Sequence, residues 1–343
     1  MRQISGLCVF IIILGCSSGN KQNSGDQSMV ASDTASNVLV DLNRIIDKDQ
    51  TNNNAFYNRA VYYLENEDYN NAFKDITTAL ELDSTRSDYY VCQADAYIGL
   101  GKLKPGIEAL EKAVELDDQN IDAYLKLAEI SIVFRDYKNA LNYIDKSLKL
   151  DELESKGYFL RGAVLLETGD TIRSIRNFQK AIDYNQQYFE ANLQLGLIFS
   201  EKKNDLAIDY LNNALNIDPD NIESLYYLAM FYQNTERYEK AIQVYHSIVA
   251  KDGRFFYGYY NIGYINLVYL KNFEEAIDYF NKAIEINPEY ADAYYNRGFA
   301  YELLKDVEKS RADYQKTLEI NSNYSFAIEG LNRIDKYLQA KQE

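Results

Sequence analysis

The sequence predicts an all-α protein built from one helix-turn-helix unit repeated about every 34 residues. Three observations predict it. Helix breakers are scarce, with Gly 16 and Pro 3 in 343 residues. Small side chains recur in fixed columns along the chain, where they let paired helices approach closely. A short polar residue closes every unit. Apolar residues at 47% and charged residues at 26% give a globular composition.

The first element is an address. An apolar run from Leu7 to Leu14 follows Arg2 and precedes Gly15-Cys16, the pattern of a secretory signal over residues 1–15. It is too short to span a bilayer, which takes about 20 residues. Ile13-Leu14-Gly15-Cys16 resembles the bacterial lipobox, with Leu14 the looser fit. That resemblance implies cleavage before Cys16 and acylation of its thiol, so that a lipid holds the chain at a membrane. The alternative is an ordinary signal peptide with an incidental Cys16. Ser17 after the lipid cysteine resembles lipoproteins sorted to an outer membrane, so the expected location is the cell envelope, outer membrane favoured. Residues 16–35 are Ser/Gly/Asn/Gln-rich and read as a flexible tether, with a reach of roughly 25 Å. Residues 36–52 read as a leading capping helix, with Leu39, Leu42 and Ile46 on one face.

Eight units then fill 53–324, starting at 53, 87, 121, 155, 189, 222, 256 and 291; the fifth is one residue short and the seventh one long. Unit position 8 holds Ala60, Ala94, Ala128, Gly162, Gly196, Ala229, Gly263 and Gly298. Positions 20 and 27 are also mostly small, while position 24 is large: Ile76, Leu110, Ile144, Phe178, Tyr210 or Leu211, Tyr245, Phe280 and Tyr314. Position 31 is Asp or Asn throughout: Asp83, Asp117, Asp151, Asn185, Asp218, Asp252, Asn287 and Asn321. Such side chains hydrogen-bond nearby backbone and stop a helix. Pro219 and Pro288 follow this stop, and Pro105 falls in the first turn of a second helix, where its missing N–H costs little.

Small residues at 8, 20 and 27 with Pro at 32 resemble the tetratricopeptide repeat, most plainly in YYNRGFAYELLKDVEKSRADYQKTLEINSN and ALNIDPDN. Position 4 lacks the usual Trp, and position 11 holds Ser131 and Asn266 in the third and seventh repeats, which are therefore expected to pack less tightly. The resemblance implies a right-handed superhelical solenoid with a concave groove. Residues 325–341, with Phe326, Ile328, Leu331, Ile334 and Leu338 in a stripe, read as the C-terminal capping helix.

Composition closes several function classes. The formal charge is −16, and −17 once residues 1–15 are removed. No Lys/Arg cluster offsets it, which argues against a nucleic-acid partner. Three cysteines and one histidine are too few for a Cys/His metal site or a disulfide framework. No phosphate loop, GxSxG or HExxH motif is present, so no catalytic residue, metal or small-molecule cofactor is expected. His246 and Cys92 read as packing or surface residues, and the scattered carboxylates as a solvated surface.

The groove is what remains. By the same resemblance, positions 2, 5, 6, 9, 12 and 13 of the first helix face inward. In repeats six to eight these include Tyr226, Tyr227, Met230, Tyr257, Tyr260, Asn261, Tyr264, Tyr295, Asn296 and Phe299. Aromatics offer large contact area with few rotors, and amides can pair with an extended backbone. The alternative is generic repeat composition filling inter-repeat space. The family's clamp for acidic chaperone tails wants Lys where Tyr57, Val91, Leu125 and Phe159 stand, so that ligand class is excluded. The expected function is a non-enzymatic scaffold that binds a protein or extended peptide of basic character. The alternatives are a glycan-binding lipoprotein using the same tyrosines, or a rigid spacer.

Overall fold

The structure is a computed structural model that describes residues 28–340. The signal segment, Cys16 and the tether as far as residue 27 lie outside the described residues. Every described element is a helix, and none is long and apolar enough to cross a membrane. The chain divides into two compact units at Gln186/Gln187. The first contains α1 (Ser28–Lys48), α2 (Asn53–Glu65), α3 (Tyr69–Leu82), α4 (Ser87–Gly99), α5 (Leu103–Leu116), α6 (Ile121–Val133), α7 (Tyr137–Leu150), α8 (Ser155–Glu167) and α9 (Thr171–Tyr184). The second contains α10 (Phe189–Glu201), α11 (Leu206–Ile217), α12 (Ile222–Asn234), α13 (Tyr238–Lys251), α14 (Phe256–Ile265), α15 (Phe273–Ile286), α16 (Ala291–Leu303), α17 (Val307–Ile320) and α18 (Ser325–Ala340). From α2 on, each repeat is an antiparallel pair, helix A then helix B, and A helices of successive repeats also touch, as in α2 with α4 and α16 with α18.

The small-residue column sets the approach within each pair. A Cβ on Gly162 would stand 2.8 Å from the Phe178 ring, and one on Gly196 would stand 2.7 Å from Leu211. The large residue of helix B thus fills the space that position 8 of helix A leaves open. Leu211, fully buried, takes that role in the fifth repeat, which settles the loose register there; Tyr210 instead stacks on Phe199 with centroids 5.6 Å apart. The missing residue of this repeat is lost at the start of its helix B: the left-handed Lys203 keeps its usual place after α10, and α11 is short at 12 residues.

Position 31 is the C-cap of all eight B helices. Its side chain accepts from the amide two residues on, as in Asp83 with Thr85 at 3.0 Å and Asp252 with Arg254 at 2.9 Å. Asp49 repeats the device after α1, at 3.0 Å from the Thr51 amide. At the opposite turn, helix A ends in a left-handed residue in every repeat, Gly101 and Gly169 in two of them and Glu67, Arg135, Lys203, Glu236, Lys271 and Lys305 in the others.

An arginine at position 7 fastens three helices at once. Arg59 on α2 makes a two-pronged bond to Asp75 on α3, at 2.6 and 2.8 Å, and donates to Asn43 on α1 at 2.6 Å. Arg297 does the same with Asp313 and Asn281. Arg161 uses Asn177 and Asp145.

Two expectations are corrected. Helix α1 begins at Ser28, inside the stretch read as tether. No Gly or Pro lies between 28 and 48, and Ala31 and Ala35 favour the helix, so it extends backward from its packed end. Asn266 does not loosen the seventh repeat. It is 2% exposed and begins a π-helical turn, Asn266–Leu270, that absorbs the extra residue. Its side chain donates to the Ile262 carbonyl at 3.0 Å and accepts from Asn272 at 3.2 Å, which holds the widened turn in place.

Candidate functional site

In the second unit, the A-helix face that carries positions 2, 5, 6 and 9 is a network of aromatic rings. Tyr226 on α12 lies 5.6 Å from Phe255, and Phe255 lies 5.9 Å from Tyr257. Tyr257 and Tyr260 on α14 both meet Tyr290 edge-on, at 5.8 and 5.0 Å. Tyr264 continues from Tyr260 at 6.2 Å. On α16, Tyr295 neighbours Phe299, Tyr324 and Phe326 at 6.4, 5.1 and 6.0 Å. Tyr226, Tyr227, Met230, Tyr260, Tyr264, Tyr295 and Phe299 are half-buried, and Tyr257 is 42% exposed. These rings combine packing against the repeat core with an open edge.

The two asparagines differ from one another. Asn296 is 6% exposed, and its amide donates to the Tyr260 hydroxyl at 3.0 Å and to the Asp292 carbonyl at 2.9 Å. Both its protons are used in orienting the site, so they do not serve an incoming backbone. Asn261 is 8% exposed, set among Tyr226 and Tyr245, with its amide nitrogen buried and unsatisfied.

Sequence reasoning missed a set of aromatics just before the A helices. The N-caps of α10, α14 and α16 are Tyr188, Phe255 and Tyr290, none with a side-chain capping bond, and Tyr324 directly precedes α18. In the first unit the same place holds Asn52, Arg86, Asn120 and Glu154, three of which cap their helix. A capping side chain contributes about 1 kcal/mol. The second unit gives up that contribution at three helices and sets rings there instead. The legible signal was an aromatic one residue ahead of the repeat start.

Asp292, at position 2 of α16, stands among these rings. It accepts from the Tyr324 hydroxyl at 2.6 Å. Burial first, then this carboxylate, raise the phenol pKa of Tyr260. At Tyr290 burial leads, with Tyr260 and Asp292 adding to it, and at Tyr324 burial is followed by the hydrogen bond to Asp292. These phenols stay protonated and act as hydrogen-bond groups, not as bases.

The first unit presents a different face. Its A helices carry a charge ladder: Asp95 with Lys126 at 2.9 Å, Asp122 with Lys126 at 3.9 Å, and Glu129 with Lys156 at 2.9 Å. Burial raises the pKa of Asp95 and Glu129 despite these lysines. Elsewhere, Cys92 is 4% exposed and burial pushes its thiol up, and His246 lies 3.4 Å from the Tyr279 hydroxyl on an outer surface. Among the described residues no cluster of three His, Cys, Asp or Glu could hold a metal.

Sequence models described as "Tetratricopeptide repeat" match residues 54–86, 87–120, 199–254 and 291–324, and one described as "TPR repeat" matches 266–305. Together they cover more than half of the chain. The chain is a tetratricopeptide repeat protein. Tetratricopeptide repeats bind protein or peptide partners, and their fold is typically a non-enzymatic scaffold. The chain is 33% identical over 73 residues to the heat shock protein STI1 of Saccharomyces cerevisiae, a match covering 21% of this chain and 12% of that protein. It is 31% identical over 129 residues to the TPR repeat-containing protein MJ1428 of Methanocaldococcus jannaschii, covering 37% and 22%. It thus spans under a quarter of either relative. Among solved structures it resembles the C-terminal part of a TPR repeat-containing protein from Cytophaga hutchinsonii, with TM-score 0.53, 19% identity, and coverage of 80% of this chain and 99% of that one. That likeness is one of fold.

Proposed function

We propose that this tetratricopeptide repeat protein is an envelope-anchored, non-enzymatic scaffold that holds an extended protein segment against the aromatic A-helix face of its second unit. The observation that carries the reading is the loss of helix caps there in favour of rings. Stability alone would favour a capping side chain at those places, as Asn52, Asn120 and Glu154 provide in the first unit. Rings with few rotors and a polar tip are suited to contact with a partner. The acid excess of the chain supports a partner of basic character.

The experiment is affinity purification with crosslinking from the native membrane, comparing wild type with the triple variant Tyr257→Ala, Tyr264→Ala and Tyr295→Ala. The partner is expected to be lost while the circular-dichroism melt stays cooperative. Unchanged recovery refutes the assignment, and saturable binding of an oligosaccharide with no protein partner replaces it by the glycan reading. Anchoring rests on the Cys16 motif. Cys16→Ala is expected to move the chain from the membrane to the soluble fraction, and a variant that stays with the membrane removes the lipid from the proposal.

A further inference from the structure

We infer that the segment held by the second unit is recognised through a cationic side chain, a guanidinium or ammonium seated over the tyrosines beside Asp292. The inference rests on the proposed aromatic face and adds the chemistry of its occupant. Position 2 of the A helices is acidic in both units: Asp88 and Asp122 in the first, Glu190, Glu223 and Asp292 in the second. The helix dipole favours an acid in a first turn, and that accounts for the residue type. It does not account for what surrounds each acid. In the first unit the acids have cations on the protein itself, Arg86 at 2.6 Å from Asp88 and Lys126 at 3.9 Å from Asp122. In the second unit, among the described residues, no cation pairs with Glu223 or Asp292. Each is instead met by a phenol: Tyr227 donates to Glu223 at 3.1 Å and Tyr324 to Asp292 at 2.6 Å.

Asp292 is half-buried beside Tyr260, Tyr290 and Tyr324 and without a counter-charge, while Glu223 is exposed; the Asp292 carboxylate is the attractive place for a cation. The ring quadrupoles and the carboxylate attract it together, and partial desolvation strengthens both. Arginine fits best, because its planar fork can bond the carboxylate while its face stacks on a ring. The exposed Tyr257 ring and the edge-on Tyr290 form the open side of this place. Among the described residues, the position-2 acids of the first unit already have cations and offer no equivalent.

The test is calorimetric titration of the full chain, at about physiological salt, with three end-blocked twelve-residue peptides that alternate Arg/Ser, Glu/Ser and Ala/Ser. The Arg/Ser peptide is expected to bind saturably and the Glu/Ser peptide not at all. Asp292→Asn with Glu223→Gln keeps acceptor oxygens for Tyr324 and Tyr227 while removing the charges, and is expected to weaken Arg/Ser binding about tenfold or more. Glu285→Gln, an exposed acid on α15, is the control for general attraction and is expected to change nothing. Failure of Arg/Ser to bind, equal binding of Glu/Ser, or an unchanged affinity in the double variant overturns the inference. If Ala/Ser binds as tightly as Arg/Ser and Tyr257→Ala with Tyr264→Ala abolishes both, the aromatic face stands and only its preference for a cation falls. If the tyrosine and the carboxylate variants are both silent, both readings fall.

Discussion

Removing the carboxylate of Asp313 should loosen the last full repeat more than any surface change. Arg297 is held by Asp313 at 2.8 and 2.6 Å, with side chains only 19% and 8% exposed. Losing one partner of a buried pair strands the other, at a cost of about 3–5 kcal/mol when nothing replaces it. Here Arg297 keeps Asn281 at 2.6 Å and the face of Tyr294, so Asp313→Ala should cost about 2–4 kcal/mol. Asp313→Asn should cost less, about 1–2 kcal/mol, because one charge-assisted bond of the fork survives. The chain contains its own control for this: Arg161 bonds Asn177 at 2.8 Å at the same place in the fourth repeat. Repeat energetics are local, so the assay is hydrogen exchange of α16 and α17 amides together with denaturant unfolding. If Asp313→Ala proves no more costly than Asp313→Asn, the pair is not a fastener and the reasoning fails.

Further outcomes can be checked alongside. Gly196→Leu should lower stability by about 1–3 kcal/mol or more, since even a Cβ meets Leu211 at 2.7 Å; an unchanged melting temperature would contradict the column assignment. Asn120→Ala removes an acceptor 2.9 Å from the Ala123 amide and a bond to Ser87, and should cost about 1–2 kcal/mol, read as faster exchange at the start of α6. Burial tends to raise the pKa of Glu302, but hydrogen bonds from Arg333 and Tyr314 outweigh it and hold the carboxyl below its usual value. A depressed carboxylate adds stability above its unfolded pKa and loses it as pH falls through the folded value. The difference in melting temperature between wild type and Glu302→Gln should therefore shrink below about pH 4.5; a difference constant into acid would refute it.

The frame was legible because each of its rules is local and recurs. The Asp/Asn at position 31 stops a helix through an amide two residues away, so one repeat suffices to read it and seven others repeat it. The small and large columns are read the same way, and only the shortened fifth repeat left Tyr210 and Leu211 unresolved. What the linear pattern hid are partnerships across repeats. Tyr260 and Asn296 are 36 residues apart, and the bond between them takes the amide proton that seemed free for a ligand. Asp292 meets Tyr324 from 32 residues away. An acid in a first turn looks the same in sequence whether a lysine or a phenol faces it, so the difference between the two units emerges only in three dimensions.

The bare beginnings of α10, α14 and α16 carry one more implication. A first turn that lacks a capping bond worth about 1 kcal/mol opens roughly five times more often than one that has it. The rings of Phe255 and Tyr290 ride on those turns. Those turns therefore yield more readily than the capped ones, resting on a frame that the buried columns keep stiff, and under the proposed reading they can adjust to guests of different girth without disturbing the stack behind them.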